Sequence, residues 1–305
     1  MATTSLAQPA IQSQTGVPTP LRPWHLASLW HLTSLDAPTV AVTWTLAFAA
    51  AFQIHLPIWL PITLALAAWS AYIADRLLDA HRAHLPSTGI AATCSLSLRP
   101  RHHFHWKHRR LFIPLALAAG LTALSLVLVN MPLAARERNS VLAAAALAYF
   151  TSVHNPWRLA APKFRLKLPK ELLVALIFTL ACAIPTLTRM PTRRPELLIP
   201  ILAFISLAWL NCQAIETWES TPPARNPIFP LATALTASTA LVATIFLAGH
   251  QTRMAALLAA AATSATLLAL LDRHRHRLNP TTLRAVADLV LLTPLALLIP
   301  TALSH

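Results

Sequence analysis

Of the ten acidic residues in the chain, four form two close pairs. Asp75 and Asp79, in the run Tyr72-Ile-Ala-Asp-Arg-Leu-Leu-Asp, stand four residues apart, which on a helix puts both carboxylates on one face. Glu216 and Glu219, in Asn211-Cys-Gln-Ala-Ile-Glu-Thr-Trp-Glu, have the similar i, i+3 spacing. Carboxylate oxygens suit Mg²⁺, a hard cation that keeps several waters and also binds substrate phosphates. Arginines beside such a site, here Arg76 and Arg82, can clamp phosphate oxygens in pairs. The plainer role for Asp75, Asp79, Arg76 and Arg82 is a set of interfacial ion pairs that finish a helix and contribute little energy.

The elements that must carry these residues are membrane helices. The chain is 56% hydrophobic and only 11% charged, whereas soluble domains carry roughly a quarter charged residues. Crossing the hydrocarbon core takes about 17–25 apolar residues in a helix. Such runs recur at Asp36–Gln53, Leu56–Ala74, Leu111–Asn130, Val141–Val153, Leu172–Thr188, Leu197–Cys212, Pro227–Ala248, Met254–Leu271 and Ala285–Leu303. The expected fold is all-α, a polytopic integral membrane bundle of about nine transmembrane helices. Residues 1–30 form a flexible cytosolic tail, and residues 31–305 form one membrane domain with a long basic cytosolic loop at 80–110. Pro61, Pro114, Pro185, Pro230 and Pro294 predict kinked spans, with neighbours satisfying the freed carbonyls.

In a nine-span topology, 18 of the 24 lysines and arginines fall on the side of the N-terminus and six on the other. Basic residues are retained in the cytoplasm, so the expected setting is the cytoplasmic (inner) membrane, with the N-terminus cytosolic and the C-terminus on the opposite side. Both acidic pairs then face the cytosol. The same placement argues against nucleic acid as a partner, because the cations sit in short loops beside apolar spans, where topology and anionic lipid explain them. Cys94, Cys182 and Cys212 lack the paired spacing of zinc or redox motifs. With four glycines in all, there is no glycine-rich loop to cradle a phosphate, so cations must hold any phosphate that binds.

In the position of both acidic pairs, after the second and sixth spans, the chain resembles the UbiA-type membrane prenyltransferases. A second likeness is the basic stretch from Arg165 to Lys170, similar to the loop that leads into that family's fifth span. A third is Tyr149 in the fourth span. The family's first motif opens with Asn-Asp where this chain has Ala71-Tyr72, and its second is built on aspartate where this chain has Asn211, Glu216 and Glu219. The resemblance implies that Asp75, Asp79, Glu216 and Glu219 are catalytic metal ligands holding Mg²⁺. It implies substrate-binding roles for Tyr72, Arg76, Arg82, Tyr149, Lys167 and Asn211. The expected reaction moves a prenyl group from a prenyl diphosphate to a lipophilic acceptor, an aromatic ring in many members of the family, with membrane lipids around it and no protein partner.

Other residues keep two further readings open. His102, His103, His105 and His108 fall in the long basic loop without a structural zinc spacing, and are expected to form a solvated segment over the acids. Asp36 is expected to cap its helix and Asp288 to pair with Arg284 one turn before it. An Asp36 that proved deep and unpaired would instead favour an ion- or proton-coupled transporter. The missing Asn-Asp would suit a catalytically silent UbiA-like protein that binds lipid.

Overall fold

Runs of alanine and leucine with few internal charges satisfy their backbone only as helices once water is excluded, and helices are what the chain forms. The computed structural model describes residues 23–84, 100–154, 169–191, 195–220 and 227–302, and every regular element among them is helical. In chain order they are α1 (Pro23–Leu32), α2 (Asp36–Ala51), α3 (Trp59–His84), α4 (Pro100–Lys107), α5 (Arg109–Asn130), α6 (Leu133–His154), α7 (Lys170–Leu187), α8 (Leu198–Glu219), α9 (Ile228–Ala248), α10 (Thr252–His274), α11 (Pro280–Leu289) and α12 (Leu295–Ala302).

Six of the described segments are long and apolar enough to cross a membrane: α5, α7, α8 with the turn before it, α9, α10 with the turn after it, and the α11–α12 segment Pro280–Leu298. Nine spans are expected from the sequence. The other three expected helices fall short on length or charge: α2 has 16 residues, α3 carries Asp75, Arg76, Asp79 and Arg82 in its second half, and α6 carries Arg136, Glu137 and Arg138.

Four expected boundaries move. The tail expected at 1–30 is shorter, since helix α1 begins at Pro23. The second span does not end at Ala74, since α3 continues to His84. The loop expected at 80–110 is largely helical where described, because α4 intervenes before α5 begins at Arg109. The last expected span is not continuous: a 3-10 turn, Val290–Leu292, separates α11 from α12. Pro294 explains this break, because it has no N–H for the carbonyl of Val290 four residues earlier. Other helices supply the missing donors. The Ser264 hydroxyl on α10 donates to the Val290 carbonyl at 2.6 Å, and the Trp44 indole on α2 donates to the Leu291 carbonyl at 2.9 Å.

The core lies between α2, α7, α8 and α10. The Trp44 and Phe204 rings stack with centroids 3.8 Å apart, and Phe48 packs edge-on to Phe204. Small residues let helices approach closely, as is usual where lipid removes the hydrophobic drive for association. Ala261, Ala265 and Ala269 of α10 are buried against neighbouring helices, and Thr236 of α9 meets Thr266 of α10 at 3.2 Å. Between α3 and α5, a side chain at Gly120 would place its Cβ 3.1 Å from the Ser70 hydroxyl. Leu117, Leu121, Leu124 and Leu128 of α5 and Leu241 and Ile245 of α9 are exposed, the arrangement expected of surfaces that meet acyl chains. These apolar faces make the chain compatible with an integral membrane protein.

Candidate functional site

A tight reversal starts the site. After α1 the chain turns through Ser34, held in the left-handed region at φ 62°, and the Leu35 amide closes the helix end on the Trp30 carbonyl at 3.1 Å. This aims the last turn of α1 at the first turn of α2, so that His31 Nδ1 sits 2.6 Å from Asp36 Oδ2. The other oxygen of Asp36 accepts from the Ala37 amide at 3.0 Å. Arg76 of α3 secures both sides of the reversal: NH1 donates to the His31 carbonyl at 2.8 Å and NH2 to Asp36 Oδ2 at 3.3 Å. From α11, Asp288 Oδ2 comes within 3.7 Å of His31 Nδ1, while its Oδ1 accepts from the Asn211 amide of α8 at 3.0 Å. Tyr72, one turn before Arg76, has Cys212, Asp36, Asp288 and Arg76 as electrostatic neighbours. Five helices thus meet around one buried polar cluster.

A second cluster adjoins it. Glu219, the last residue of α8, accepts from Arg284 of α11 at 3.0 Å and from Arg101 of α4 at 3.3 Å. The adjacent residue on α4, His102, lies 3.9 Å from Asp79 at the end of α3. The short basic helix α4 therefore touches both acid-bearing helix ends. The expected solvated histidine segment is corrected here: Arg101 and His105 lie on one face of α4 and are buried, because that face packs on α1 and α3. His105 Nδ1 lies 2.9 Å from the Arg101 carbonyl and Nε2 lies 3.1 Å from the Ser34 hydroxyl. A carbonyl only accepts, so Nδ1 carries the proton and Nε2 accepts from Ser34.

Burial pushes His105 down to about 4, against an opposing pull from its bond to the Arg101 carbonyl. The sign follows from linkage: unfolded His105 takes up a proton below about 6.5 while the folded residue does not, so stability falls as pH drops from about 6.5 to 4 and levels off below. The loss is expected to be on the order of 1–3 kcal/mol. Thermal unfolding in detergent across that range should show it, and His105→Gln should flatten it; an unchanged slope in the variant would remove His105 as the cause.

The residues singled out from the sequence fall as follows. Asp75 and Asp79 lie on the last turns of α3, both half-buried. Glu216 is half-exposed and 3.9 Å from Lys170, the first residue of α7. Glu219 is bound by two arginines. Tyr72, Arg76 and Asn211 converge on the buried cluster. Tyr149 of α6 is half-buried, with Asp75, Cys212 and Glu171 as electrostatic neighbours. Arg82 is half-buried in the last turn of α3, and Lys167 lies outside the described residues. Asp36 is buried, with His31, Arg76 and the Ala37 amide as partners, so the condition that would favour a transporter is not met. The pairing expected along α11 is also corrected: Arg284 gives NH1 to Glu219, and Asp288 takes Asn211, because α11 packs between α1 and α8.

Among the described residues, one group of three could converge on a metal: His31, Asp36 and Asp288, with ligand atoms all within 4.8 Å. Its chemistry favours a hydrogen-bonded network over an ion. The 2.6 Å spacing of His31 and Asp36 is that of a charge-assisted hydrogen bond, and the Arg76 guanidinium already serves the Asp36 oxygen. Across both clusters three acids, Asp36, Asp288 and Glu219, face three arginines, Arg76, Arg101 and Arg284, so a divalent ion would add unbalanced charge to a buried site. Asp75, Asp79 and Glu216, half-buried or half-exposed at the end of the bundle, carry the hard oxygen ligands that suit Mg²⁺, but their ligand atoms do not all come within 4.8 Å of one another.

Comparison with protein-family models, with curated proteins and with solved structures finds no match.

Proposed function

We propose that the protein is an integral membrane prenyltransferase of the UbiA type, which moves a prenyl group from a prenyl diphosphate to a lipophilic acceptor. One observation carries this reading: Arg101 and His102, neighbours on α4, contact Glu219 and lie beside Asp79. The acid-bearing ends of α3 and α8 are thus gathered under one basic helix, whose Arg101 reaches Glu219 118 residues further along the chain. In this reading α2, α3 and α6 complete nine spans, and the basic end of the bundle faces the cytosol, with the C-terminus opposite.

The chain's own groups then divide the work. Asp75, Asp79 and Glu216 would hold Mg²⁺, with Glu219 available as its arginines exchange partners, and the bound ion would supply charge neutralisation for the diphosphate. As the C–O bond breaks, the electron pair leaves with the diphosphate, and the cationic side chains of the basic end stabilise that charge. Arg76 is a positioning residue here, since its guanidinium is committed to Asp36 and to the His31 carbonyl. It fixes α3, and with it Asp75 and Asp79. Tyr149, with Asp75 among its electrostatic neighbours, stands beside those acids.

Calorimetric titration of the purified protein with a prenyl diphosphate, with and without Mg²⁺, tests the proposal. Binding that strengthens at least tenfold with Mg²⁺ is expected, equivalent to about 1.4 kcal/mol. Absence of binding, or binding indifferent to Mg²⁺, would overturn it.

A further inference from the structure

At the basic end, a cavity of about 230 Å³ opens between the last turn of α8 and the turn joining α10 to α11. Trp218, Glu219, Arg275, Leu278, Leu283 and Arg284 line it. Two of its walls are fixed by one carboxylate: Asp272 accepts from the Trp218 indole and from Arg275 NH1, each at 2.7 Å. The opposite wall holds Arg284, whose NH1 is given to Glu219 while its Nε is buried without an acceptor. A buried guanidinium nitrogen with no acceptor costs free energy unless something supplies one.

The surroundings indicate what that is. Arg275 and Arg284 line the opening and Arg101 reaches its Glu219, against the two acids Glu219 and Asp272, which leaves a net positive charge for an anion. Ile215, Leu278, Pro280 and Leu283 form the apolar part of the lining, and His276 completes it. Basic pockets between membrane helices of this kind bind lipid headgroups. The volume lies below the roughly 300–1,000 Å³ of sites that enclose a drug-sized ligand, so the cavity takes a headgroup and leaves the acyl chains in the bilayer.

We propose that this cavity binds the phosphate of an anionic membrane lipid, which accepts from Arg284 Nε beside the Arg275 guanidinium. The cavity shares Glu219 with the proposed metal site but is not lined by Asp75, Asp79 or Glu216, and the proposal stands without the prenyl-transfer reading.

Native mass spectrometry of the delipidated full-length protein in detergent, titrated with phosphatidylglycerol or phosphatidylcholine, tests it. Phosphatidylglycerol should be retained preferentially. Arg284→Lys, which keeps the charge facing Glu219 but removes Nε, should lower that retention about tenfold, the worth of one charge-assisted hydrogen bond. Leu278→Trp, which fills the cavity and leaves every charge in place, should do the same. Asp75→Asn should leave retention unchanged while disabling the proposed transfer, so each proposal can fail alone. Equal retention of the two lipids, or retention unaffected by both cavity variants, would overturn the site. Displacement of phosphatidylglycerol by millimolar inorganic phosphate would overturn the lipid as its source and assign the cavity to free phosphate.

Discussion

Arg76→Leu is expected to destabilise the folded protein by about 3–5 kcal/mol, the usual effect of removing one partner from a buried ion pair. Arg76 is 3% exposed and Asp36 is equally enclosed. Without the guanidinium, Asp36 loses its arginine partner, and the His31 carbonyl keeps only the Ser34 amide as donor. The reversal between α1 and α2 would lose the tie that holds it to α3. Thermal and denaturant unfolding in detergent measure the loss, and a double-mutant cycle with Asp36→Asn isolates the pair. Once Asp36 no longer carries a charge, Arg76→Leu should cost less than in the wild type, with a coupling of about 1–3 kcal/mol. A single-variant loss below about 1 kcal/mol, or additivity in the cycle, would remove this pair as the tie between α1, α2 and α3.

The second large effect is on turnover. Under the proposed function, Asp75→Asn and Asp79→Asn should each lower single-turnover prenyl transfer by about 100- to 1,000-fold, the scale seen when a group that stabilises developing charge is removed. Unfolding should change by less than about 1 kcal/mol, since both residues sit half-buried at a helix end. Glu219→Gln should behave differently. Its carboxylate accepts from both Arg101 and Arg284, so neutralising it leaves two cations without their counter-charge and should lower stability along with rate. Raising Mg²⁺ should restore part of the activity of Asp75→Asn if the aspartate acts by holding the ion. Changes in rate below about threefold for both aspartates would separate them from the chemistry.

The helices were legible because helix formation in lipid is a local requirement: each apolar run must satisfy its own backbone. Even so, composition misplaced some ends. The charged half of α3 reads as loop by hydropathy, yet the helix continues because Arg76 finds Asp36 and Ala80 is buried. The break at Val290–Leu292 follows from Pro294, but whether the segment bends or holds depended on Ser264 and Trp44, which only packing brings near. The acidic pairs and their common end were legible from spacing and alternation of spans.

Their partners were not. His31 carries no motif, and its five-residue separation from Asp36 becomes a contact only because Ser34 adopts a left-handed turn. Arg284 stands one turn from Asp288 and reads as its partner, whereas the fold gives it to Glu219, 65 residues away. Arg101 reads as one cation among many until α4 lays it against α8.

By itself, then, the sequence determined that this is an all-helical chain with apolar faces and with acids paired on helix turns, since helical periodicity and hydropathy act over a few residues. Only the tertiary structure decided which charges meet. Separations of 40 residues for Arg76 and Asp36, 77 for Asn211 and Asp288, and 118 for Arg101 and Glu219 close when helices pack. In a low-dielectric interior, each buried charge must then take the partner that packing delivers.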